Sequence, residues 1–172
     1  MSALRRAALL VLLPLAACAG PTRLIPMDAR RIVPAMHPDP GCPSHLASLV
    51  DARQAGANAG GLHGQHFELE DPLPLVRASL ARAGLSGNGE DEARSVDIEL
   101  LRLYIARNRG TKVPVVVYRT RIADESIIVR SQQPSMNWNG TEDEAYAALG
   151  RALDDANARL AEVLGERCGK AS

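Results

Sequence analysis

The chain has 172 residues, with 20 basic and 20 acidic side chains, three cysteines and only 3% aromatic residues. That length fits one modest folded unit with a flanking segment. The balanced charge gives no support to nucleic-acid binding, which needs a strongly basic face. A core with so few rings must be built from Leu, Val, Ile and Ala.

In chain order, Arg5 and Arg6 precede an apolar run, Ala7 to Leu15, that is too short to cross a bilayer as a mature helix. Small residues follow, the plan of a secretory signal removed on export, predicted here over residues 1–17. Leu15-Ala16-Ala17-Cys18 resembles the lipobox of bacterial lipoproteins, in which the cysteine thiol carries diacylglycerol and becomes the new N-terminus. An ordinary signal peptide with a coincidental cysteine is the alternative. The resemblance implies attachment to a membrane through lipid on Cys18, with the rest facing the periplasm. Ala19, in place of Asp, is compatible with sorting to the outer membrane. Two or more acyl chains give stable anchoring where one gives only marginal binding. Loss of Arg5 and Arg6 leaves 18 basic side chains against 20 acidic ones.

Residues 18–43 are interrupted by Pro21, Pro26, Pro34, Pro38, Pro40 and Pro43. Such spacing prevents a regular helix and predicts an extended, semi-rigid tether. Once Cys18 is lipidated, Cys42 and Cys168 remain, an even number in an oxidising compartment, and they are expected to pair. The bridge would close a long loop, worth up to about 4–5 kcal/mol in the chain-entropy model.

The folded part is expected over 44–172. His45 to Arg53 fits a short helix face and a strand alternation equally, and AGANAGGLHGQ after it is a glycine-rich loop. Phe67 to Leu69 suits a brief strand. Asp71 and Pro72 open a helix whose apolar side is Leu75, Val76, Leu80 and Ala83, and Gly84 ends it. Three strands follow. In Val96 to Ala106 the inward parity switches at Leu100-Leu101, which predicts a bulge or a strand buried on both faces. Val113 to Ala123 contains Pro114, which argues that the amide there lacks a ladder partner. Ile127 to Val129 completes an antiparallel meander. Thr141 to Glu144 is a capping box. Ala145, Leu149, Ala152, Leu153, Ala156, Leu160, Val163 and Leu164 then make one helical stripe, with Gly165 predicted to close it and Cys168 just beyond. The sum is an α+β two-layer domain: a largely antiparallel sheet of three to four strands packed by two helices, after a Pro-rich tether.

Val50-Asp51-Ala52-Arg53 before a glycine-rich stretch, a helix beginning Pro72-Leu-Pro-Leu-Val-Arg77, and a meander closed by a long helix resemble the YajG-type lipoproteins. The wider group is the ABC-transport auxiliary and lipopolysaccharide-assembly lipoproteins. The resemblance covers about residues 45–165 and implies that Val50-Asp51 ends a strand. It also implies a non-enzymatic envelope protein that docks to a partner or to a lipid-handling machine.

Chemistry-bearing motifs are few. His63 and His66 share a loop without further ligands near them, whereas zinc needs three or four organised donors, so no metal site is expected. The glycine-rich stretch matches neither a phosphate loop nor a dinucleotide fingerprint. No nucleophile elbow is present, and neither cofactor nor catalysis is expected. Asn139-Gly-Thr141 matches a glycosylation sequon, discounted because a lipobox implies a bacterium. The candidate partner-binding residues are Asp51 and Arg53 at a strand end, and Arg119 and Arg121 on one strand face. Arg102 and Arg130 are expected on neighbouring strands, and such a row suits anionic head groups or an acidic partner. A solvated face and a structural Asp51–Arg53 pair are the bland alternatives. The functional expectation is a lipid-anchored accessory protein docking to a transport or envelope-assembly complex; the alternative is a periplasmic binding module for a small or lipidic ligand.

Overall fold

A computed structural model describes residues 23–35, 41, 44–55, 59–62, 65–86, 95–107, 111–134 and 141–170. The strands are β1 (Arg23–Pro26), β2 (Ser44–Asp51), β3 (Gly61–Leu62), β4 (Gln65–Glu68), β5 (Leu85–Ser86), β6 (Ser95–Arg107), β7 (Lys112–Ile122) and β8 (Glu125–Arg130). The helices are α1 (Leu73–Arg82) and α2 (Glu142–Lys170), with a 3-10 turn at Ala29–Arg31.

The α+β two-layer plan expected from the sequence is the one observed. Its main sheet has the order β5-β2-β6-β7-β8. The meander β6-β7-β8 is antiparallel, but β2 runs parallel to both β5 and β6, so the sheet is mixed. The His45–Arg53 ambiguity resolves as a strand. Its residues Leu46 and Leu49 are buried, and a register shift between Leu46 and Ser48 interrupts simple alternation. The parity switch in β6 is a bulge: the pairing to β7 skips Leu101, between Leu100 and Arg102. Pro114 lies opposite Ile105, beyond the point where β8 ends against Val117, so its missing N–H faces no strand there.

α2 lies across β6, β7 and β8 and also touches α1, and the predicted stripe from Ala145 to Leu164 is the buried one, with Val163 partly so. The capping box forms as read: Thr141 Oγ1 accepts from the Glu144 N–H, and Glu144 Oε2 accepts from the Thr141 N–H, both at 3.3 Å. A buried polar chain crosses the layers. The Tyr118 hydroxyl donates to Asn157 Oδ1 at 3.2 Å, and Asn157 Nδ2 donates to Ser79 Oγ at 2.6 Å. It joins β7, α2 and α1 inside otherwise aliphatic packing.

Two local readings need correction. Gly165 does not end α2, which continues to Lys170. A helix-interior glycine costs only about 1 kcal/mol, and buried Leu164 together with an Arg167–Glu125 ion pair keeps the following turn on the sheet. Cys168 is thus helical rather than beyond the helix.

The second correction concerns the tether, because residues 23–35 lie on the domain rather than away from it. β1 pairs in parallel with β4, and β4 with β3, in a small second sheet. Met27 and Ile32 are buried in the common core. The Asp28 N–H donates to the Tyr146 hydroxyl at 3.1 Å, and the Ala35 N–H to Asp154 Oδ2 at 3.0 Å. Arg31 stacks on the Tyr146 ring at 4.1 Å and pairs with Asp143 at 2.6 Å. The prolines do forbid a helix, but Leu24-Ile25 is extended and apolar, and Pro26 is tolerated at the end of an edge strand. Gly60 links the two sheets: with φ +83° it bridges to Ile105, and a Cβ there would stand 2.1 Å from the Ile105 carbonyl oxygen.

Candidate functional site

Cys18 and Cys42 lie outside the described residues, as does the side chain of Cys168, so the lipidation and the disulfide fall there too. His63 and the sequon Asn139 are likewise outside them.

Asp51 and Arg53 pair with each other at the end of β2. The Arg53 side chain is only 4% exposed, and it holds Asp51 in a fork with Nε–Oδ1 and Nη2–Oδ2 both at 2.8 Å. Its Nη2 also donates to the Leu69 carbonyl at 2.9 Å, which ties the end of β2 to the chain after β4. These hydrogen bonds hold the Asp51 carboxyl below its ordinary pKa despite partial burial. Arg53 Nη1 is buried without a hydrogen-bond partner, so its spare donors lie out of reach of an outside ligand unless the strand end opens.

Arg119 and Arg121 do share the outer face of β7, as read. Each is matched across to β6: Arg119 to Glu99 at 2.6 Å and Arg121 to Asp97 at 3.2 Å. Exposed cross-strand pairs of this kind contribute roughly 0.2–1 kcal/mol, and they neutralise the row. Arg102 and Arg130 flank Val117 on β7 from either side. Arg102 leans on the Tyr104 ring at 5.6 Å. The outer sheet face is therefore mixed in charge, with Val50 and Ile128 exposed on it.

The feature that stands out was not read from the sequence. A groove of about 790 Å³ runs between residues 26–34 and α1, with the chain between β4 and α1 as its base. Met27, Ile32, Leu69, Pro74, Leu75 and Ala78 give it an apolar lining. Val33, 72% exposed, stands on its wall. Glu68, Glu70, Asp71 and Arg82 are charged groups at its borders, with Asp28 and Arg30. Asp28 is taken up by Arg30, whose fork of hydrogen bonds at 2.9–3.2 Å lowers the Asp28 pKa. The Asp71 carboxylate accepts from the Leu73 N–H at 3.1 Å and so caps α1. The volume is in the range of about 300–1,000 Å³ typical of ligand sites. No signal in any one segment announces the groove, because its walls come from three separate stretches of chain.

Among the described residues, no group of three or more His, Cys, Asp or Glu side chains could hold a metal ion. No described helix is long and apolar enough to cross a membrane.

No family model matches this sequence, and no curated protein matches it. Two solved structures are similar to it in outline. Protein XCC0632 from Xanthomonas campestris, described under the family model DUF330, is 12% identical. The match covers 86% of this chain and 98% of that one, with a TM-score of 0.45. An uncharacterized protein is 10% identical over 86% of this chain and 99% of its own, with a TM-score of 0.40.

Proposed function

We propose that this chain is a lipid-anchored envelope lipoprotein of the YajG-like kind, a non-enzymatic adaptor that docks to a transport or envelope-assembly complex. One observation carries the reading: a positive n-region, a short apolar run and Leu15-Ala16-Ala17-Cys18 stand five residues before the first strand. That arrangement puts a membrane attachment point directly beside the folded domain, and such a protein acts by holding a surface near a bilayer. The reading is tested by fractionating cells that express the wild type and Cys18→Ser, with mass spectrometry of the N-terminal peptide. A diacylglyceryl-modified Cys18 in the membrane fraction, with a stoichiometric envelope partner lost in the Cys18→Ser chain, is the expected result. An unmodified Cys18 overturns the lipoprotein; a modified Cys18 without any protein partner overturns the adaptor.

The groove beside α1 favours a second reading, a binding module for a small apolar or lipidic ligand. Native mass spectrometry of the gently released protein separates the two. A bound small molecule of defined mass supports the module.

A further inference from the structure

We propose that the groove between residues 26–34 and α1 is the docking site for an apolar, basic-flanked segment of an envelope protein. This rests on the adaptor reading above and deepens it by naming the surface and the chemistry of its partner.

The lining supplies the first argument. Pro74, Leu75 and Ala78 supply accessible apolar lining to a space large enough for several aliphatic side chains, while Met27, Ile32 and Leu69 beside them are themselves buried. Val33 stays 72% exposed on its wall, and Leu24, 53% exposed, continues the apolar surface along β1. Leu24 and Pro26 project from the same side of β1, and Pro26 lines the groove, so the apolar strip runs from the start of the strand into it.

Charge selects the occupant. Arg30 is closed on Asp28, which leaves Glu68, Glu70 and Asp71 against Arg82 at the border. Three carboxylates against one guanidinium disfavour an anionic headgroup or a fatty-acid carboxylate. They favour Lys or Arg beside an apolar anchor, the pattern of an amphipathic segment laid in a groove. The leash supplies the location. Five residues from Cys18 to Arg23 reach no more than about 18 Å. An anchored chain therefore presents this groove close to the membrane surface, where an envelope protein's segment is available to it.

The test places a photo-crosslinking amino acid at Ala78, and separately at Val33, in the full-length chain made in its own cells. Adducts are read as sequenced peptides by mass spectrometry. The expected adduct is an apolar peptide with flanking Lys or Arg from another envelope protein. The Glu68→Lys, Glu70→Lys double variant, checked for an unchanged melting temperature, should cut its yield at least tenfold. A phospholipid adduct, an adduct to the chain's own N-terminus, or no adduct from either position overturns the proposal. So does a yield indifferent to the charge reversal. Mass spectrometry of Cys18 in the same sample shows separately whether the anchor reading has failed.

Discussion

Replacing Gly150 by alanine tests whether the first part of the chain is seated on the last helix. On an unobstructed helix face, glycine to alanine stabilises by about 0.8–1.0 kcal/mol. Gly150 is obstructed: a Cβ there would come within 2.9 Å of the Val33 carbonyl oxygen and 3.3 Å of its carbon. Those atoms are backbone, held on one side by buried Ile32 and on the other by the Ala35–Asp154 hydrogen bond. Overpacking of this kind costs about 1–3 kcal/mol, which outweighs the helix gain. The variant should therefore lose up to about 2 kcal/mol in urea denaturation followed by circular dichroism. Hydrogen exchange at the Ala35 and Asp28 amides should quicken, because their acceptors sit on α2. A Gly150→Ala protein about 1 kcal/mol more stable than wild type, with unchanged exchange at those amides, would refute the seating of residues 23–35 on α2.

The remaining predictions concern the interior. Arg53→Ala leaves the Leu69 carbonyl and the partly exposed Asp51 carboxylate without their donor, and should cost about 1–3 kcal/mol in chemical denaturation; Arg119→Ala, in an exposed pair, should cost at most about 1 kcal/mol. Because hydrogen bonding lowers the Asp51 pKa below 3.8, its contribution is fully present above that value and is lost as pH falls through it to the lower folded value. The stability difference between wild type and Asp51→Asn, measured from pH 6 down to pH 3, should therefore shrink in the acid limb. Asn157→Ala removes the middle of the Tyr118–Asn157–Ser79 chain and should cost about 1–3 kcal/mol, read from the thermal midpoint. Gly60→Ala meets both a left-handed backbone and the Ile105 carbonyl, and should lower the yield of folded protein severely, judged by soluble expression and melting.

What the sequence made legible was whatever has a local period or a local cap. The α2 stripe repeats at helical spacing, Thr141 and Glu144 close on each other within one turn, and the β6 bulge shows as a parity switch in consecutive residues. What stayed hidden depends on partners far along the chain. Proline spacing in 18–43 argues against a regular helix, and residues 23–35 hold only a strand and a 3-10 turn, yet nothing in that spacing points to Gln65–Glu68 as the pairing strand. Asp51-x-Arg53 reads the same whether it faces solvent or bridges to Leu69, and only the fold decides. Arg119 and Arg121 were readable as one face, but their acids Glu99 and Asp97 come from the opposite strand in a register set by the bulge. The groove is hidden for the same reason: its apolar residues are each unremarkable within their own segment.

The seating of the N-terminal segment also sets an order of events. The Asp28 amide waits for a hydroxyl 118 residues later, and the Ala35 amide for a carboxylate 119 residues later. A chain delivered N-terminus first can thus pair β1 with β4 early, but the hydrogen bonds that seat residues 28–35 wait until α2 has followed. Contacts of such sequence separation form slowly because loop closure precedes their reward. Residues 28–35 are among the first of the domain to appear and among the last to be fixed, and until then Met27 and Ile32 remain open to whatever apolar surface they meet.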